Sequence, residues 1–147
     1  MGELMTATHN FGVAPIRAAT TADTFKAALY LASATINAST TAYSATGEVS
    51  GTNYTAGGVA VTNATAPIAT NSSVTAGVAY WTPSASITYT TVTLSTAFDS
   101  VLIYNSTQSN KAVSVHTFGS QTITAGTFTL TMPTNSTTTA LLRLSTT

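Results

Sequence analysis

A chain of 147 residues is long enough for one domain with a genuine core and too short for two comfortable ones. Only 5% of its residues are charged, hydrophobic residues make up 44%, and the net charge is zero; an ordinary globular chain is about 25% charged. Four Lys/Arg scattered along the sequence give no basic footprint for nucleic acid and no polybasic patch for a membrane surface. With no cysteine, a disulfide framework, a thiolate zinc site and a thiol nucleophile are excluded.

Disorder goes with low hydrophobicity and high net charge, and a mean hydropathy of +0.26 argues against it. Thr is nearly every fourth residue, and Thr, Val, Ile, Tyr and Phe suit a pleated, half-buried surface. The expected class is all-β: an antiparallel β-sandwich of seven to nine short strands over residues 23–147, behind an extended N-terminal arm over residues 1–22. The arm carries few strand signals, and either a neighbouring subunit or its own domain is expected to hold it. The run from Lys26 to Ala34 loosely resembles a secretory signal. It is short, contains Tyr30 and follows a long polar lead, so no cleaved signal is expected. No apolar run approaches the 18 or more residues of a membrane span.

In chain order, Phe25, Ala27, Leu29 and Leu31 alternate with Lys26, Ala28 and Tyr30, giving one apolar face at a period of two. A short helix competes here, because Thr21 and Asp23 are possible N-caps, but strand is favoured. Thr40 to Thr46 follows, then a turn-rich stretch with Gly47, Gly51, Gly57 and Gly58, and a short strand at Val59 and Val61. Further strands are expected at Ala79–Trp81, Ser86–Leu94, Ser100–Tyr104, Ala112–Phe118, Thr127–Met132 and Ala140–Leu144. The breaks are Pro67, Asn71 to Ser73, Pro83, Asn105 to Asn110, Gly119-Ser120, Ala125-Gly126 and Pro133 to Ser136. No fixed-period repeat points to a solenoid or propeller.

The chemistry-bearing residues are few. His116, Asp99 and a serine would make a hydrolytic triad, but no G-x-S-x-G elbow accompanies them. His116 lies in an alternating run that sets it on one face with Ala112 and Ser114, which reads as a partly buried or interface histidine. The acids Glu3, Asp23, Glu48 and Asp99 are dispersed, so neither a catalytic carboxylate pair nor a calcium loop is expected. No cofactor or metal is expected. The six N-x-S/T triplets, at Asn37, Asn53, Asn63, Asn71, Asn105 and Asn135, read as turns and strand ends in a Ser/Thr-rich chain. Glu48 is the one acid across a long uncharged region. It is expected at an interface, or fixing the loop that holds Tyr54, Gly57 and Gly58 by accepting backbone N–H bonds, or, equally, as a solvated loop residue. These residues and His116 are the candidate loop or interface positions.

Several stretches recur together in a recognisable order: Asp23 to Tyr30 (DTFKAALY), Thr41-Ala42-Tyr43, Gly47 to Gly51 (GEVSG) and Tyr54 to Gly58 (YTAGG). Leu102 to Asn105 (LIYN), Lys111 to Val113 (KAV), Phe118-Gly119 and Leu141 to Leu144 (LLRL) follow. In this order the chain resembles a family of small tailed-bacteriophage virion structural proteins from roughly Asp23 to Leu144; the arm before Asp23 lies outside the pattern. The resemblance implies a virion protein assembled in the bacterial host cytoplasm. Physical reasoning points the same way. A β domain with almost no Lys or Glu lacks the charges that blunt sheet edges and keep a free monomer soluble, and neighbours in an assembly remove both problems.

The expected function is therefore a capsid decoration (cement) protein. It would bind the major capsid protein or other virion proteins, self-associate, and bind neither nucleic acid nor membrane. A tail or baseplate component is the alternative within the structural class. A carbohydrate-binding module stacking sugars on Tyr80, Trp81 or Tyr89 is a second, and an enzyme is not expected.

Overall fold

The computed structural model describes residues 23–62, 68–69 and 78–145; the expected arm and the breaks at Pro67 and Asn71 to Ser73 lie outside the described residues. Among these the fold is all-β, without a helix, and every strand pair is antiparallel. The strands are β1 (Phe25–Leu31), β2 (Val59–Val61), β3 (Ile68–Ala69), β4 (Val78–Trp81), β5 (Ile87–Asn105), β6 (Lys111–Leu130) and β7 (Leu142–Ser145). One sheet runs in the order β2-β1-β5-β6 and a second in the order β3-β4-β7.

β1 is a strand and not the competing helix, and its two faces explain why. Phe25, Ala27 and Leu29 join the main core, which also takes Val101, Ile103 and Val113. Ala28 and Tyr30 join a second cluster with Leu102 and Tyr104 on the opposite face. A single apolar face was expected; both are buried because the connection from Leu31 to Val59 folds over the far side, bringing Ile36 and Tyr43 onto the second cluster. The second half of β5 shows the same change, since its alternating burial becomes continuous from Ser100 to Asn105.

Two expected strand pairs turn out to be one ribbon. Ser86–Leu94, except for Ser86, and Ser100–Tyr104 are both parts of β5, 19 residues long; Ala112–Phe118 and Thr127–Met132 are covered by β6, 20 residues long, except for Thr131 and Met132. The expected breaks at Gly119-Ser120 and Ala125-Gly126 fall inside β6 as irregularities of register. Thr91 and Ala125 take φ values of 52° and 45°, as bulged residues do. These bulges bend the ribbon. Phe118 and Phe128 are ten positions apart, about 33 Å along an extended strand, yet their rings lie 5.2 Å apart. Phe98 meets both edge-on, at 5.9 and 5.1 Å. The far half of the ribbon therefore folds back over the core. Trp81, 6.0 Å from Phe25, joins the second sheet to the same core.

The turn from β5 to β6 was legible, and a buried polar knot holds it. The Asn105 carbonyl oxygen Oδ1 accepts the N–H groups of Thr107 and Gln108 at 3.0 and 3.1 Å, which is an Asx turn. Its amide donates to Asp23 at 2.7 Å, and the Gln108 amide donates to the other Asp23 oxygen at 3.2 Å. Asp23 is thus a buried turn clamp rather than a helix cap. The expected segment Thr40–Thr46 is no strand and contributes one bridge, Ala42 to Lys111. Near the C-terminus the strand is shifted, to Leu142–Ser145.

Gly58 has a φ of 74°, and a Cβ there would overlap the carbonyl oxygen of Ala27. Both the left-handed backbone and the close approach require glycine. Gly58→Ala should lower stability by about 3 kcal/mol or more, read as a drop in the urea midpoint with an unchanged slope.

Candidate functional site

The candidate loop is built against a gap in the sheet. One edge of β1 pairs with β2 from Phe25 to Ala27. Further along, the same strand exchanges bonds with Gly47 to Val49: Leu31 N–H donates to Gly47 at 2.9 Å and Val49 N–H to Leu29 at 3.0 Å. Between these two pieces no strand among the described residues faces β1. Two phenols meet the backbone there: Tyr89 donates to the Ala27 carbonyl at 2.8 Å, and Leu29 N–H donates to the Tyr54 hydroxyl at 3.0 Å.

Glu48 sits at this gap, bridged to Tyr30. Its Oε2 accepts the Tyr43 hydroxyl at 2.6 Å, and its Oε1 accepts the Tyr54 hydroxyl at 2.8 Å and the Gly57 N–H at 2.7 Å. The Gly57 carbonyl in turn accepts the Tyr104 hydroxyl at 2.8 Å. Tyr43 stacks on Tyr104 at 4.8 Å, Tyr54 lies nearly parallel to Tyr89 at 6.0 Å, and Tyr30 donates to the Ser44 carbonyl. Five of the six tyrosines thus gather around one carboxylate.

The electrostatics follow from burial. The phenols of Tyr43, Tyr54, Tyr89, Tyr104 and Tyr30 are all raised above the ordinary value of 10, first because desolvation disfavours the phenolate. The negative charge of Glu48 adds to the effect in each, and its hydrogen bonds to Tyr43 and Tyr54 hold those protons in place. A carboxylate with three fixed donors is a clamp. It is a poor general base, since its oxygens already accept from groups anchored in the fold.

Glu48, Tyr54 and Gly57 are therefore brought together, with Gly58 beside them, and of the three readings of Glu48 the loop-fixing one describes its contacts. His116 is not part of this group. It lies on β6, two strands away in the row Leu29–Val101–His116. Its Nε2 is 2.9 Å from Ser114 Oγ, and burial lowers its pKa. The expected common face with Ala112 is broken by a shift in register at Ile103/Tyr104, which sends Ala112 and Val115 to the second cluster. Asp99 instead accepts from Ser100 at 3.0 Å, so the imagined triad is not assembled. Among the described residues no group of three His, Cys, Asp or Glu is placed to hold a metal ion.

Two corrections concern the aromatics. Trp81 and Tyr89 are each 2% exposed and belong to the core, so neither can stack on a sugar; Tyr80 is half-buried. The members of the cluster that sequence reasoning missed are Tyr30, Tyr43, Tyr89 and Tyr104. Their hydroxyls were the available signal, because a buried Tyr needs a hydrogen-bond partner.

No family model, curated protein or solved structure matches the chain.

Two measurements check the clamp. Glu48→Ala should cost about 3 kcal/mol, because it strands three donors around a lost charged acceptor, whereas Tyr54→Phe should cost about 2 kcal/mol, because it removes one donor to the carboxylate and the acceptor of the Leu29 N–H; chemical denaturation reads both. The phenols also set an alkaline limit. The unfolded chain releases its phenolic protons near pH 10 while the folded chain retains them, so their contribution is complete below pH 10 and is lost as pH rises above it. The 295 nm tyrosinate absorbance should therefore rise together with loss of β-sheet circular dichroism; titration of the cluster in an intact fold at pH 10 would contradict the burial described.

Proposed function

We propose that the chain is a structural subunit of a tailed-bacteriophage virion, and within it a capsid decoration (cement) protein. It binds where major capsid subunits meet, self-associates on the shell and strengthens it. The two sheets, joined through Trp81 and covered by the folded-back ribbon, are read as the layers of an antiparallel β-sandwich.

The observation that carries this reading is where the polar groups are used. Glu48 and Asp23 are engaged inside the fold, and no charged residue occurs from Ala112 to Leu142, a span that includes nearly all of edge strand β6. An edge of that length without charge is a liability for a free monomer and an asset for a subunit covered by its neighbours. The resemblance from Asp23 to Leu144 supports a phage particle as that assembly.

Contacts made by hydroxyls and backbone are screened little by salt. Binding to empty shells should therefore change less than about threefold between 50 mM and 500 mM NaCl. Quantitative gel densitometry of purified virions should find hundreds of copies, and particles lacking the protein should lose heat and chelator resistance. A few dozen copies would place it in the tail or baseplate instead.

A further inference from the structure

Among the described residues, the outer edge of β6 is covered at its start. There Ala112 N–H donates to Thr41 at 2.9 Å and Tyr43 N–H donates to Asn110 at 2.9 Å. From Val113 to Leu130 the only strand paired with β6 among the described residues is β5.

Within this edge two windows are regular, Ser114–Thr117 and Phe128–Leu130, and the second is self-complementary. Phe128, Thr129 and Leu130 pair with Tyr89, Thr88 and Ile87 without a break in register. Phe128 and Leu130 pack against the core, while Thr127, Thr129 and the following Thr131 are exposed. The run Thr-Phe-Thr-Leu-Thr is symmetrical about Thr129. Set antiparallel against itself, it places Thr127 opposite Thr131, Thr129 opposite Thr129, and Phe128 opposite Leu130. We propose that two copies of this chain join their sheets through this edge, antiparallel, about a twofold axis at Thr129.

A second copy fits this edge for three reasons. Backbone N–H and C=O groups along an unpaired edge are satisfied by an added strand. Identical edges meet in a twofold contact, and the pattern here is self-complementary. With no charge from Ala112 to Leu142, like edges do not repel, and Thr–Thr cross-strand pairs are favourable. The inference deepens the assembly reading and rests on it for the identity of the partner.

Because the chain has no cysteine, single substitutions can test the axis. Across it, Thr129 would face its own counterpart at one interstrand spacing, about 5 Å, within disulfide reach. Thr88, its partner on β5, would lie three spacings from its counterpart, about 14 Å, and beyond reach. On mild oxidation of the purified full chain, Thr129→Cys should give a covalent dimer on a non-reducing gel and Thr88→Cys a monomer. Thr129→Lys should weaken the dimer at least tenfold in sedimentation equilibrium without changing the circular dichroism spectrum. Equal crosslinking of both cysteines, or none at Thr129→Cys, overturns the edge pairing, as does a wild-type chain that sediments as a monomer at every concentration. If Thr129→Cys fails to crosslink while the protein is found in virions, the edge is wrong and the virion reading stands; crosslinking with absence from virions gives the reverse.

Discussion

The structure depends on how the open stretch of β1 is filled. A central strand must satisfy its backbone on both sides, since a buried unpaired amide or carbonyl costs about as much as a lost hydrogen bond. Along one side β5 does this throughout. Along the other, β2 and the Gly47–Val49 segment leave a space at Ala27 to Leu29, and tyrosine hydroxyls occupy it. Glu48 fixes one of those hydroxyls and the glycine turn beside it. The positions of β2, the loop and the second cluster all follow from that one arrangement.

This arrangement shows how a chain with few charges makes specific contacts. A phenol carries a large apolar ring and one polar atom, so each tyrosine here fills core volume and also closes a backbone bond. Tyr89 joins the far half of the ribbon to β1, and Tyr104 joins β5 to the glycine turn. Glu48 is the common acceptor for Tyr43 and Tyr54. A salt bridge in this place would desolvate two ions. One carboxylate with neutral donors desolvates one.

Much of this fold was legible from local pattern, and the rest required distant contacts. β1, the Asn105–Asn110 turn and the existence of β2 and β4 follow from alternation and turn residues. That β1 is buried on both faces could not be read, because the covering loop has no periodicity of its own and is held through Glu48. The glycines at 119 and 126 look like turns; they mark bulges because Phe98, Phe118 and Phe128 draw the bent ribbon together. That Glu48 accepts from its glycine loop was one of three readings its isolation in the sequence left open. Tyr54 was among the candidate loop residues, whereas Tyr30, Tyr89 and Tyr104 come from β1 and β5 and left no trace in the loop's own sequence. Trp81 was misplaced for a similar reason: an aromatic next to a turn reads as exposed until the sheet that buries it is known.

Scarcity of charge therefore has two consequences, one inside and one outside. Inside, Asp23 and Glu48 become fasteners, and each holds a turn that local propensity alone would leave loose. Outside, the exposed face of the ribbon consists largely of threonine, as at Thr88, Thr90, Thr127 and Thr129. Threonine is stiff at χ1, whereas Lys and Glu lose roughly 1.5–2 kcal/mol of rotamer freedom when immobilised. A threonine surface thus loses less entropy on contact and offers a hydroxyl at every second residue. Such a surface gives up long-range steering and solubility and gains low ordering cost against an extended neighbour. That exchange favours a subunit packed among many others over one that circulates alone.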